Sequence, residues 1–177
     1  SISDNAEYRT EIRSLTMDKG ILMTTAKDPE AESVYEMYYD FSTPVRKMTG
    51  YRTLAINRGE KEKFLSVKIE APVDEITGYL IRQVIVRDNP NTNDILRNTI
   101  TDSYERLIAP SIERDIRSSL TEAAEDGAIK VFGSNLKQLL MQPPINGHVV
   151  LGWDPAFRTG CKLAVVDATG KVLATKV

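Results

Sequence analysis

Val149–Val177, VVLGWDPAFRTGCKLAVVDATGKVLATKV, is the stretch whose reading decides the fold. Its apolar run Val149–Leu151 reaches Gly152 and then an Asp154-Pro155 turn, after which two alternating segments, Lys162–Val166 and Val172–Thr175, flank a Thr169-Gly170 turn. Alternation of period two around a glycine turn predicts the first three strands of a mixed sheet, with Asp154 at the end of the first. The chain then stops in mid-strand at Lys176-Val177, with no helix to cover a sheet face, so the expectation is a piece of a larger protein.

Upstream the period changes to that of helices. Asp4 is placed to cap a first helix carrying Tyr8, Ile12 and Leu15, which Gly20 ends. Helical spacing predicts further helices over Glu30–Tyr39 (Ala31, Val34, Tyr35, Tyr38, Tyr39) and over Pro44–Asn57 (Val45, Met48, Tyr51, Leu54, Ala55), the latter ending at Arg58-Gly59. Partial alternation predicts a short strand over Lys63–Glu70. Asp74 is placed to cap a helix with Ile76, Tyr79, Leu80, Ile81 and Val84 inside, and three stripes follow. They are Leu96–Ile100–Tyr104–Leu107–Ile108, Ile112–Ile116–Leu120–Ala123 and Ile129–Phe132–Leu136–Leu139–Leu140. Pro110 suits a first helical turn, while Gly127 and Gly133 leave open whether 111–141 is one helix or two. Pro143-Pro144 ends the helical region. The fold class expected is mainly α with a small β part: a multi-helical region, 1–144, followed by the opening strands of a mixed sheet, 145–177.

Composition narrows the function classes. No apolar run approaches the length of a membrane span, and Ser1-Ile2-Ser3-Asp4 lacks the basic start of a signal peptide. A single cysteine, Cys161, forms no internal disulfide, which points to the cytoplasm. Residues 1–144 hold 19 Lys/Arg against 23 Asp/Glu, a balance of −4, and 145–177 hold 4 against 2. The acidic region nevertheless contains a basic window: Arg46, Lys47, Arg52, Arg58, Lys61, Lys63 and Lys68 stand against Glu60 and Glu62, a local +5. With Tyr51 and Phe64 among them, these residues are the candidates for binding nucleic acid, since cations beside aromatics suit a single strand. Tyr51 competes as a core residue, because it falls on the Met48–Leu54–Ala55 stripe, and Glu60–Lys63 reads equally as a solvated charge alternation.

Asp154 is the sharpest catalytic candidate. A two-metal nuclease needs several carboxylates converging on its ions, however, and Asp167, the other acid of this region, reads as a hairpin-turn residue. No catalytic set, metal site or cofactor is expected. Gly152, Thr159 and Gly160 could let a phosphate approach, yet a phosphate loop leads into a helix and this turn leads into a strand. His148 and Cys161 have no partners at ligand or nucleophile spacing, and Tyr35, Tyr38 and Tyr39 read as packing area with hydroxyls at the rim.

Val150–Leu173 strongly resembles the start of the RNase H-like (resolvase-like, YqgF-type) domain of the bacterial Tex family of transcription accessory proteins. Tyr51–Glu62 (YRTLAINRGEKE) and Asn135–Pro144 (NLKQLLMQPP) resemble further segments of that family, in its order. The resemblance implies a cytoplasmic, multi-domain protein of which this chain is an internal fragment, without the helix-turn-helix region, the helix-hairpin-helix repeats and the S1 RNA-binding domain where the family's nucleic-acid binding is thought to be concentrated. It implies a scaffold that binds nucleic acid in the full-length protein, weakly as a fragment, with the transcription machinery as partner. The family's RNase H-like domain is regarded as lacking a full catalytic set, so Asp154 is a vestigial position. Ala156 stands where the family has the glycine of Asp-Pro-Gly, and Trp153 where it has an aliphatic residue. The alternatives are a fragment of a metal-dependent resolvase-type nuclease, which needs two or more further acids around Asp154, and a protein-interaction module, which needs an exposed apolar surface. Self-association through the open sheet is a further expectation.

Overall fold

The computed structural model describes residues 1–87, 89–143, 145–158 and 160–177. They divide into two compact units, Ser1–Val131 and Phe132–Val177. The fold is mainly α with two small three-stranded sheets.

In the first unit α1 (Ala6–Lys19) is capped by Asn5, one residue beyond the expected Asp4: its side-chain oxygen accepts the N–H groups of Glu7 and Tyr8 at 2.9 and 3.1 Å. Gly20 ends the helix as expected. An antiparallel sheet follows, in the order β2-β1-β3, from β1 (Ile21–Ala26), β2 (Asp40–Pro44) and β3 (Leu65–Glu70). Only β3 was legible as a strand.

The helix expected over Glu30–Tyr39 is not there. The stretch holds one 3-10 turn, Glu36–Tyr38, whose i, i+3 geometry lets Tyr35 and Tyr38 both be buried. The chain is then drawn into the ladder with β1, where Thr24 Oγ1 donates to the Tyr38 carbonyl at 2.5 Å. Long-range pairing outweighs local helical spacing here. Pro44 closes β2 as an edge strand, where its missing N–H is harmless, rather than opening a helix.

The helix α2 (Gly50–Lys61) therefore begins six residues later than the sequence suggests, and it continues past Gly59. A Cβ at Gly59 would lie 2.7 Å from Leu65 Cδ1, so glycine is what lets α2 sit closely on β3. The helix α3 (Val73–Val84) starts after Pro72, with Asp74 inside its first turn rather than at the cap.

The helix α4 (Asn93–Ser103) runs through a π-turn, Tyr104–Ile108, into α5 (Ala109–Leu140). The π-turn sits just before Pro110, which cannot donate to the carbonyl four residues back and whose ring would crowd it; widening the turn relieves both. Residues 111–140 are one helix, with Gly127 and Gly133 inside it. Ile100, Tyr104, Ile108, Ile112 and Ile116 are buried against Ile12, Leu65, Ile69, Ile76 and Leu80, and Ala124 rather than Ala123 faces inward. The third expected stripe is a correction: Ile129, Phe132, Leu136, Leu139 and Leu140 are exposed. Periodicity marks a face fit for burial without supplying the surface that would bury it. Of the Pro143-Pro144 break, Pro144 lies outside the described residues.

In the second unit β4 (Val150–Asp154), β5 (Lys162–Val166) and β6 (Val172–Lys176) form the expected antiparallel meander, in the order β4-β5-β6. Asp167 Oδ1 accepts the N–H groups of Thr169 and Lys171 at 2.8 and 3.0 Å, and Gly170 takes φ 88°. That is the turn chemistry read from Asp167-Ala168-Thr169-Gly170.

Candidate nucleic-acid interface

The site is built on α2. Thr53, Ile56 and Gly59 are its buried positions, and at 100° per residue the opposite side carries Tyr51, Arg58 and Lys61. Tyr51 is 66% exposed, which corrects the reading of it as a core residue. Met48, its neighbour on the stripe by spacing, lies before the helix begins. Tyr51 and Arg58 stand two turns apart on the solvent side, about 10 Å along the axis. Arg52 turns the other way, its guanidinium carbon 5.5 Å from the Phe41 ring centre on β2 and 5.6 Å from that of Tyr51. This cation–π arrangement holds Arg52 beside the exposed phenol.

The two glutamates that dilute the window in sequence are both engaged elsewhere. Glu60 accepts a forked pair of hydrogen bonds from Arg117 on α5, 3.0 Å from Nη1 and 2.5 Å from Nη2, and Arg117 also donates to Asn57 Oδ1 at 3.0 Å. Glu62 lies beside the Tyr35 hydroxyl, whose pKa is raised first by burial and then by that carboxylate. Among the described residues Lys47, Arg58, Lys61 and Lys63 enter no ion pair, whereas Arg46 is 3.0 Å from Asp18. Lys68 lies on β3 and faces a cavity instead.

Lys63 has φ 69°, the one non-glycine residue with positive φ among the described residues. It follows the helix cap Glu62; its N–H reaches the Glu60 carbonyl at 3.0 Å, and that of Phe64 reaches Gly59 at 2.9 Å. This is the Schellman ending, in which glycine is the usual residue at the left-handed position.

The other candidates are not brought together. Asp154 is exposed at the end of β4, opposite Lys162, and among the described residues no three His, Cys, Asp or Glu side chains are grouped to hold a metal. Asp167 is committed to its turn, and the hydrogen bond from Thr169 holds its carboxyl below the ordinary range. Gly160 has φ 77°, but the chain enters β5 there rather than a helix, and Thr159 lies outside the described residues. His148 and Cys161 are both exposed. Tyr35 and Tyr38 are core, and the Tyr39 hydroxyl donates to the Ala31 carbonyl at 2.5 Å. The Glu60–Arg117 pairing was invisible in the sequence, since nothing local signals a partner 57 residues away. Among the described residues no helix is long and apolar enough to cross a membrane.

The chain matches the Tex central region-like family over residues 1–132 and the Tex protein YqgF-like domain over residues 148–177. It is 50% identical over 99% of its length to the uncharacterised protein YdcI of Bacillus subtilis, covering 25% of that protein. It is 36% identical to the transcriptional accessory protein Tex of Neisseria gonorrhoeae over 85% of this chain and 20% of that one. To the S1 RNA-binding domain-containing protein 1 of Homo sapiens it is 38% identical over 80% of this chain and 15% of that one. The chain thus spans a quarter or less of the length of these relatives. Two family matches in chain order, with relatives named for transcription and for RNA-binding domains, lead to one conclusion: the chain belongs to the Tex family.

Proposed function

We propose that this chain is a non-catalytic scaffold of a cytoplasmic transcription accessory protein, and that it contributes an auxiliary nucleic-acid contact along the solvent side of α2. The scaffold comprises a helical central region over 1–144 and an RNase H-like, YqgF-type segment over 145–177. The observation that carries the contact is the alignment of Tyr51, Arg58 and Lys61 while Glu60 is held by Arg117 and Glu62 lies beside the Tyr35 hydroxyl. Arg52 lies beside Tyr51, Lys63 follows the end of the helix, and Arg46, paired with Asp18, and Lys47 precede it; an exposed phenol beside cations suits unpaired bases. The relatives' names support the class of ligand, and transcription proteins are the partners this reading expects.

A few cations engage few phosphates, so binding is weak and steeply salt-dependent. Fluorescence anisotropy of a labelled single strand should show binding at low salt that largely vanishes near physiological salt. Arg58→Ala or Lys61→Ala should each lower the slope of log K against log salt by about 0.7. A slope unchanged in both variants would remove α2 from the interface. The non-catalytic reading is supported by Asp154 having no cluster of carboxylates around it among the described residues, because metal-assisted cleavage needs several converging carboxylates. Single-stranded, duplex and four-way-junction substrates in Mg²⁺ or Mn²⁺ should give no more product with the parent chain than with Asp154→Asn. Cleavage that Asp154→Asn abolishes would favour the nuclease reading instead.

A further inference from the structure

A second site lies inside the first unit, away from α2. A cavity of about 470 Å³ opens between α1, the end of β3 and the junction of the π-turn with α5. That volume is in the range of small-ligand pockets. Its wall is apolar, from Ile12, Ile69, Ile112 and Pro110, and its polar groups are unbalanced: Glu70, Glu105 and Glu113 face one cation, Lys68. Glu113 uses one carboxylate oxygen, Oε1, to accept the Ile69 N–H at 2.9 Å. Tyr104 also lines the cavity; it is 3% exposed, and its hydroxyl has no hydrogen-bond partner among the described residues. Since no fully enclosed side-chain polar atom among those residues lacks a partner, the Tyr104 oxygen keeps some access to solvent, and the cavity it lines is the opening beside it.

A hydroxyl on a buried ring with no protein partner is left to water, which a ligand N–H can replace. Here it borders a volume large enough to hold such a ligand. It stands, moreover, in a π-turn, a feature frequent at functional sites, and that turn is what brings Tyr104 and Glu105 to the same opening. The phenolic oxygen can accept an N–H, the carboxylates supply charge, and the isoleucine wall suits methylenes. We propose that this cavity binds an organic cation on a short apolar stem, a guanidinium or ammonium group, carried either by a protein side chain or by a free small amine.

The two sources can be separated by titrating the ¹⁵N-labelled chain with agmatine, with acetyl-Gly-Arg-Gly-amide and with the uncharged n-butylurea. Saturable shifts at the amides of Ile69, Ile112 and Glu113 with either cation, and none with n-butylurea, are expected. Shifts with agmatine point to a free amine, and shifts with the peptide alone to a protein segment. Tyr104→Phe and the surface variant Glu105→Gln should each weaken binding at least about fivefold, the loss of one hydrogen bond to a charged group. Glu105→Gln keeps the test decisive if Tyr104→Phe does not fold. No shift with either cation at millimolar concentration, equal shifts with n-butylurea, or undiminished binding in Glu105→Gln would overturn the proposal.

Discussion

Lys63 carries the clearest mark of a residue retained against its own conformational preference. A left-handed φ costs a residue with a Cβ about 1 kcal/mol, and glycine at that place in a helix ending costs almost nothing. Lys63→Gly should therefore raise unfolding stability by about 1 kcal/mol in urea titration while weakening nucleic-acid binding at low salt. Greater stability without loss of binding would strip Lys63 of its role. Asp167 is the converse case, a residue whose role could be read directly. Its folded pKa lies below the ordinary 3.8, with the hydrogen bond from Thr169 as first cause. A depressed carboxyl stabilises the fold above its unfolded pKa and ceases to do so as pH falls through the folded value. Amide exchange at Lys171 should thus quicken below pH 3.8 relative to the rest of the sheet, and Asp167→Asn should remove that pH dependence. Turn chemistry is local and was legible. Tyr51 was not, because the phase of α2 is fixed by Thr53, Ile56 and Gly59 meeting distant partners.

Among the elements, α2 and α5 are joined by polar bonds rather than by hydrocarbon alone. Arg117 grips Glu60 and Asn57, and Asn57 Nδ2 donates to Thr121 Oγ1 at 2.8 Å. Both charged side chains of the pair are about two-thirds or more covered, so the bond is worth more than a surface pair. Arg117→Ala should cost about 1–2 kcal/mol by chemical denaturation and, by releasing Glu60 toward the solvent, should also weaken binding on α2. A loss of stability with binding untouched would leave the pairing purely structural. Most elements were legible from period and punctuation: α1 up to Gly20, β3, the long helical run and the terminal meander. The segment 30–44 was not, because its aromatic spacing satisfies a helix as well as a 3-10 turn followed by a strand. Only pairing with β1, which sequence alone does not display, decides between them.

At the scale of the whole molecule, the apolar surface is the outstanding quantity. Within the second unit Leu151, Trp153, Val172 and Leu173 are exposed, with Leu163 and Val165 half-buried on β5. We propose that an open sheet with such residues on view pairs with another copy of the chain. Light scattering over a concentration series should show growth in mass that Val172→Lys reduces; strictly monomeric behaviour at high concentration would count against it.

Gly127 and Gly133 of α5 have no atom within 4 Å of where a Cβ would be, so neither serves a close approach. Each lowers the helix by about 1 kcal/mol relative to alanine. Their effect is therefore felt in how long that turn of α5 resists a protease. Brief digestion should cut first between residues 127 and 133, leaving a core that ends near Asp126, and alanine at both positions should lengthen the survival of the intact chain several-fold without altering the core's own lifetime.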